Sequence, residues 1–373
     1  MPLTVEVVEV LTAFQDLRDE WNTAAAAGAD PNVFMTWDWL HTWWMHFGEP
    51  NPDARLHVVT LRDEAGLVAA APLFRMHWGY GPLRAPVMHQ ISYNAGDYGG
   101  MLLVRRCDEA IELLLAHIAD LLHQDARTVV LSRLTSDSTL LATLRARLVD
   151  AADRVAGTEA QLFDSCPYAD VDDDTFDLAK RRKKHRIRQR LQRLADEHEV
   201  TFEYHTGPTL EEGLRRFVDV HRRRWDSIAE PMQGLLVDRP RQDFLLEATR
   251  ALDRLGHLRL LTLNADGRTA AADLDYEFAG RVYMFKSAFD PDFAAYGPGQ
   301  VVVSKVFEDG IDRGAHEFDF MRGDHAYKRA WTNRSRDLVT VTLTKPGWAG
   351  HLAGWRTRAA RAVGGQRERG RQR

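Results

Sequence analysis

Residues Arg281 to Trp331 read RVYMFKSAFDPDFAAYGPGQVVVSKVFEDGIDRGAHEFDFMRGDHAYKRAW. Arg281 to Ala288 is β-rich: alternation puts Val282, Met284 and Ala288 on one face and Tyr283 and Phe285 on the other. A loop follows, ending in Tyr296-Gly297-Pro298-Gly299. From Gln300 to Asp312, Val302, Val303, Val306, Phe307 and Ile311 recur at helical spacing. A helix start leaves its first N–H groups unpaired and carries the positive end of the helix dipole. Glycine beside it lets an anion approach the backbone closely, so a pyrophosphate would fit there. The same residues also make a plain turn and helix start, so the loop by itself identifies no ligand.

Further on, Glu317 to Phe320 reads as a short strand running into Met321-Arg322-Gly323-Asp324 and then Tyr327-Lys328-Arg329-Ala330-Trp331. The ordered set Tyr296, Pro298, Gly299, Asp319, Phe320, Gly323, Asp324, Tyr327, Lys328 and Trp331 resembles the C-terminal part of the bacterial BioF2-like acetyltransferase family. That family is a GNAT-superfamily branch related to the Fem peptidyltransferases. A Trp-rich segment, Phe34 to Phe47, extends the resemblance into the N-terminal half. The resemblance implies an α/β (α+β) fold of tandem GNAT-like domains, each a mixed, mainly antiparallel sheet flanked by helices. It also implies acetyl-CoA or another acyl-CoA as donor and the amine of a small molecule or amino sugar as acceptor, in envelope polysaccharide or specialised metabolism. The Fem branch uses aminoacyl-tRNA instead, and a non-catalytic module whose basic helix grips an anionic polymer or membrane surface is the alternative from a different class. One position departs from the superfamily pattern. The loop usually opens with Gln or Arg, and here Ala294 stands there, so a side-chain donor to the phosphates is missing.

Acyl transfer from a thioester to an amine requires a held donor, a deprotonated amine and stabilisation of the oxyanion and thiolate. Tyr296, Gly297, Pro298, Gly299, Gln300 and Val301 are the expected pyrophosphate contacts. The strand edge at Tyr283, Phe285 and Ser287 is the expected partner of the pantetheine amides, because an edge offers free N–H and C=O groups. Asp273, Asp275, Asp319 and Asp324 are candidate bases. Tyr276 and Tyr327 are candidate proton donors to the departing thiolate. Lys286, Arg322 and Lys328 are candidate contacts to an anionic substrate or phosphate. Structural roles compete with each of these: a strand Asp is usually solvated or paired, and Tyr327 and Trp331, at i and i+4, can simply pack. The resemblance places Asp319, Asp324, Tyr327 and Lys328 around one cleft between the domains.

A chain of 373 residues suggests two domains. The expected divisions are 1–166, a degenerate N-terminal GNAT-like domain; 167–346, the domain with the acyl-CoA site; and 347–373, a basic helix and disordered tail. A duplicated strand–turn–strand unit supports this. Thr60, Leu61, Gly66, Ala69, Ala70, Ala71 and Leu73 recur, with one gap, as Thr262, Leu263, Gly267, Ala270, Ala271, Ala272 and Leu274. The first copy lacks a glycine loop followed by a helix. The net charge of −5 gives no global case for DNA binding. Cys107 and Cys166 form no metal spacing and suit a reducing compartment, and the histidines do not cluster as ligands. The expectation is a cytoplasmic protein or one peripheral to the inner membrane, monomeric or homodimeric, with no metal. A helix from Thr175 to Glu197 would carry a basic block, Lys180 to Arg193. Its charge calls for an offset, from Asp170 to Asp174 or from an anionic ligand; tRNA is the less expected partner.

Overall fold

The computed structural model describes residues 2–78, 84–124, 126–226 and 238–347; the expected basic helix and tail lie outside these from residue 348 onward. The chain divides into two units, Met1–Asp164 with Asp337–Arg373, and Ser165–Arg336. The sequence-based divisions fell at 166 and 346. Asp337 onward instead counts with the first unit because Leu338 to Thr344 pairs with a strand there.

The first unit contains β1 (Thr4–Val8), α1 (Leu11–Asp16), α2 (Arg18–Ala27), α3 (Trp37–Trp43), β2 (Arg55–Asp63), β3 (Gly66–Trp78), β4 (Ala85–Gln90), β5 (Leu102–Leu103), α4 (Cys107–Gln124), β6 (Thr128–Thr135), α5 (Thr139–Asp150) and the first part of β7 (Ala156–Asp170). Its sheet runs β1-β2-β3-β4-β6, antiparallel until β4 meets β6 in parallel. Alternating residues of β2, β3 and β6 (Val59, Leu61, Leu73, Val129, Leu131) pack on Leu114, Leu115 and Ile118 of α4. Trp39 and Trp43 are buried core residues of α3; after Trp43 the helix widens into a π turn over Trp44–Gly48.

The second unit contains the end of β7, α6 (Leu178–Lys184), α7 (Ile187–Glu197), β8 (Val200–Tyr204), α8 (Leu210–Asp226), α9 (Arg239–Arg254), β9 (Leu258–Ala265), β10 (Arg268–Phe278), β11 (Arg281–Phe289), α10 (Pro298–Asp312), β12 (Glu317–Asp319), α11 (Ala326–Arg329) and the start of β13 (Arg334–Thr344). Its sheet runs β8-β9-β10-β11-β12, antiparallel until β11 meets β12 in parallel. Both units therefore hold four antiparallel strands followed by a parallel fifth. The repeated hairpin sits at the same place in each: Thr60 faces Ala70 on β3, and Thr262 faces Ala272 on β10. This is a tandem, mainly antiparallel α/β fold. Among the described residues no helix is long and apolar enough to cross a membrane.

The expected single helix over Thr175–Glu197 is two helices. The chain turns at Arg186, whose φ of 53° is left-handed and disfavoured for a side chain with Cβ. The turn lets the His185 ring lie flat on Trp331, with centroids 4.7 Å apart and planes 6° apart, while Ile187 and Leu194 are buried. It also interrupts a run of like charges that costs a continuous helix stability.

Candidate active site

The sheet opens at β11. On its β10 side, Leu274 faces Lys286 but Tyr276 faces Tyr283, so β11 carries one extra residue there. That is a β-bulge, which re-aims side chains. The Lys286 ammonium lies 4.4 Å from the Phe285 ring centroid, and that ring lies 5.3 Å from Tyr276. The adjacent residues Phe285 and Lys286 thus share a face. The alternation that grouped Ala288 with Val282 fails at this point: Ala288 faces Ala272, whereas Val282 packs in the core under α10. On its other side, β11 pairs with β12 only at Arg281, Val282 and Tyr283. Among the described residues, Met284 to Phe289 have a strand partner on the β10 side alone.

β11 leads through Pro291–Tyr296 to Gly297, the N-cap of α10, which has φ 60° and ψ 50°. Only glycine adopts this conformation at little cost. Among the described residues no side chain caps α10, and no acidic residue occupies its first turn. A Cβ on Gly299 would meet only Phe289, at 3.7 Å, so the backbone is approachable there. The corresponding helix of the first unit, α4, carries Asp108 and Glu109 in its first turn and would repel an anion. The surroundings of the Gly297 loop are cationic. A Cβ at Gly297 would collide with the Arg190 guanidinium, whose Nε donates to the His185 carbonyl at 2.8 Å. Arg193 lies 5.8 Å from the Tyr296 ring centroid. The missing Gln or Arg at Ala294 is thus matched by a guanidinium from α7. Sequence reading could not find Arg190, because nothing in the local pattern links α7 to the loop.

Beneath the open strand lie two acids. Asp273 and Asp275 alternate with Leu274 on β10, so they share a face. Each is 1% exposed, and the Oδ2 of each has no hydrogen-bond partner among the described residues. Burial pushes the Asp273 carboxyl up to about 7. Asp275 is raised well above its ordinary value, by burial first and the Asp273 charge second, although the Phe285 N–H and Arg313 act in the opposite direction. Tyr327, on α11, is 45% exposed. Its phenol is pushed up to about 12, by desolvation first and then by the Asp273 charge.

The remaining expected site residues divide. Tyr276 is buried on the opposite face of β10, its hydroxyl 2.9 Å from Thr249 Oγ1. Lys286 lies near His221, whose imidazole is pushed down to about 4 by burial and then by the Lys286 charge. Trp225 Nε1 donates to His221 Nε2 at 3.1 Å, consistent with a neutral ring. Asp319 is fully buried and accepts from the Met321 N–H at 2.7 Å. Asp324 is exposed and pairs with Arg329 at 2.7 Å. Lys328 is buried, and its Nζ donates to the carbonyls of Phe320 (2.7 Å) and Arg322 (2.5 Å). Tyr283 and Phe285 are buried, Ser287 is exposed and Val301 lies in the α10 core. Tyr296 donates its hydroxyl to Glu197 at 2.6 Å. Gln300 accepts from Trp331 Nε1 at 2.8 Å. Among the described residues no group of three His, Cys, Asp or Glu is placed to hold a metal ion.

Most of this second unit resembles a GNAT domain. The family model described as "Acetyltransferase (GNAT) domain" matches residues 179–329. The fold of the whole chain is similar to that of FemX (TM-score 0.60, 12% identity, covering 89% of this chain and 96% of that one). It is also similar to L-PGS from Bacillus licheniformis (TM-score 0.52, 13% identity, 89% and 91%). No curated protein matches the chain in sequence.

Proposed function

We propose that the protein is an N-acyltransferase of the BioF2-like branch, moving an acyl group, acetyl first, from acyl-CoA to the amine of a small molecule or amino sugar. One observation carries this reading: the half-unpaired strand β11 leads directly into an uncapped, glycine-started helix. A pantetheine arm offers amides to such an edge, and its diphosphate suits such a helix start. Arg190 adds the cation that the loop sequence lacks. A thermal-shift series with acetyl-, malonyl- and longer acyl-CoAs tests donor and chain length, since a ligand that binds only the folded state raises its stability. Gly299→Asp puts bulk and a negative charge into the cradle and should weaken acetyl-CoA binding by about tenfold or more. Undiminished binding would place the diphosphate elsewhere.

A second reading, transfer from aminoacyl-tRNA, draws on the basic segment. Of its nine cations, Arg181 donates to the Ala330 carbonyl, Arg182 pairs with Glu308, and Arg190 and Arg193 turn to the glycine loop. Asp170 and Asp173 pair with Arg334 rather than with this segment. Lys180, Lys183, Lys184, Arg186 and Arg188 are exposed, with no ion-pair partner among the described residues. Polyanion binding loses affinity steeply with salt, by about 0.7 to 0.9 log units per log unit of salt for each phosphate neutralised. We expect acyl-CoA binding with a shallow salt slope and no tight tRNA complex near physiological salt. A steep tRNA gel-shift titration, abolished by Arg186→Glu with Arg188→Glu, would establish the second reading instead.

A further inference from the structure

Beside the turn that joins β9 to β10, the second unit holds a cavity of about 150 Å³. Four arginines line it, Arg215, Arg216 and Arg223 of α8 and Arg268 at the start of β10, together with Glu212 and Asp219. We propose that this cavity binds a phosphate group, the phosphomonoester of a substrate or donor, through the guanidiniums of Arg216, Arg223 and Arg268. The proposal goes beyond the acyl-CoA reading, since no residue of the Gly297 loop or of α10 lines the cavity.

Hydrogen-bond capacity carries the argument. A guanidinium has five N–H donors, whereas an ionised carboxylate only accepts. Glu212 accepts from Arg216 Nε at 2.6 Å and from Arg215 Nε at 3.1 Å. Asp219 accepts from Arg222 at 2.8 Å. Asp290, 1% exposed, anchors the other two arginines. Its Oδ2 accepts from Arg223 Nη1 at 2.7 Å and from Arg268 Nε and Nη2 at 3.0 and 2.6 Å, and its Oδ1 accepts from the Asp292 N–H at 3.1 Å. The acids are thus occupied. The arginines have donors to spare: Arg216 Nη2, Arg223 Nε and Nη2, and Arg268 Nη1 have no hydrogen-bond partner among the described residues. Ion pairing offsets the charge of the wall but leaves donors over, and an acceptor-rich ligand is what uses them.

The same contacts arrange those donors in advance. Asp290 draws two guanidiniums to one buried oxygen, so a ligand spends little on ordering them. Three guanidiniums match the three terminal oxygens of a phosphomonoester, and the planar fork of arginine meets phosphate oxygens in pairs. The hairpin of the first unit gives the contrast. Gly66 corresponds to Gly267, and the residue after it is Leu67, which is buried, where the second unit has Arg268. Only the second copy of the hairpin supplies a cation at this turn.

The test uses the full chain and inorganic phosphate as probe, with binding read by titration calorimetry and each variant's fold checked by denaturant unfolding. Two variants address the cavity: Arg216→Gln, and Arg223→Lys, which keeps a positive charge for Asp290 but loses the fork. Gly299→Asp addresses the helix cradle instead. Phosphate should bind the parent, and should bind Gly299→Asp within about twofold of it, while each cavity variant weakens binding by about tenfold or more. Two pairs of molecules then identify the source of the phosphate: acetyl-CoA against 3′-dephospho-acetyl-CoA, and glucosamine 6-phosphate against glucosamine. In one pair the phosphorylated member should bind the parent about tenfold more tightly, an advantage lost in Arg223→Lys. Phosphate binding that is absent from the parent, indifferent to both cavity variants, or lost in Gly299→Asp overturns the proposal. So does equal affinity within both pairs. Failure of both forms of acetyl-CoA to bind sinks the acyl-CoA reading instead, and the sugar pair then decides this one.

Discussion

Between pH 4 and pH 8 the unfolding free energy of Asp273→Asn should fall by about 4 kcal/mol less than that of the parent. Asp273 titrates near 7 when folded and near 3.9 when unfolded. Between those values the folded state holds a proton that the unfolded state has released, so stability falls as pH rises. The contribution is complete below the unfolded value and gone above the folded one. A shift of about three units corresponds to about 4 kcal/mol. Buried histidines act with the opposite sign. His221, pushed down to about 4, gains stability for the fold as pH rises from there toward 6.5. The whole-protein curve therefore mixes both, and the difference between parent and variant reports Asp273 together with its coupled neighbour Asp275. Urea unfolding at matched pH values measures it. Parallel curves for the two proteins would show that Asp273 ionises normally and that its burial is relieved in solution.

Much of this arrangement was legible in the chain. The strand, glycine loop and helix at Arg281–Asp312 form where the sequence places them, with α10 burying Val302, Val303, Val306 and Phe307 on one face. The duplicated hairpin was readable from Thr60 and Thr262, since both threonines face an alanine in the same strand pair. Three features were not legible, and each depends on contacts distant in sequence. The bulge in β11 exists only relative to β10, and one extra residue moves Lys286 and Ala288 to the face opposite the one alternation gives. The break at Arg186 answers to Trp331, far along the chain. Arg190 reaches Gly297 because α7 packs beside α10. The acids show a different limit. Asp273 and Asp275 stood among four candidate aspartates, and the family resemblance put Asp319 and Asp324 ahead of them. Burial and missing partners rank them, since Asp319 is held by the Met321 N–H and Asp324 by Arg329.

Lys328→Met should destabilise the fold by about 3–5 kcal/mol, comparable to removing one partner of a buried charged pair. Lys328 is 7% exposed, and its ammonium donates to the carbonyls of Phe320 and Arg322, with the Met321 carbonyl 3.5 Å away. These carbonyls belong to a segment that leaves β12 through two residues with positive φ, Met321 at 60° and Gly323 at 95°. Such a path turns backbone oxygens inward, where water does not replace a lost donor. Methionine fills a similar volume but donates nothing, so the carbonyls would be buried without partners. Arginine should not rescue, because a flat guanidinium cannot gather these carbonyls around one nitrogen as an ammonium does. Denaturant unfolding gives the loss, and hydrogen exchange at Met321 to Gly323 should report local loosening. Since α11 follows this segment directly, Tyr327 would lose its placement and turnover would fall with stability. A Lys328→Met protein that unfolds at the parental denaturant midpoint yet has lost turnover would give Lys328 a direct part in the chemistry rather than an anchoring one.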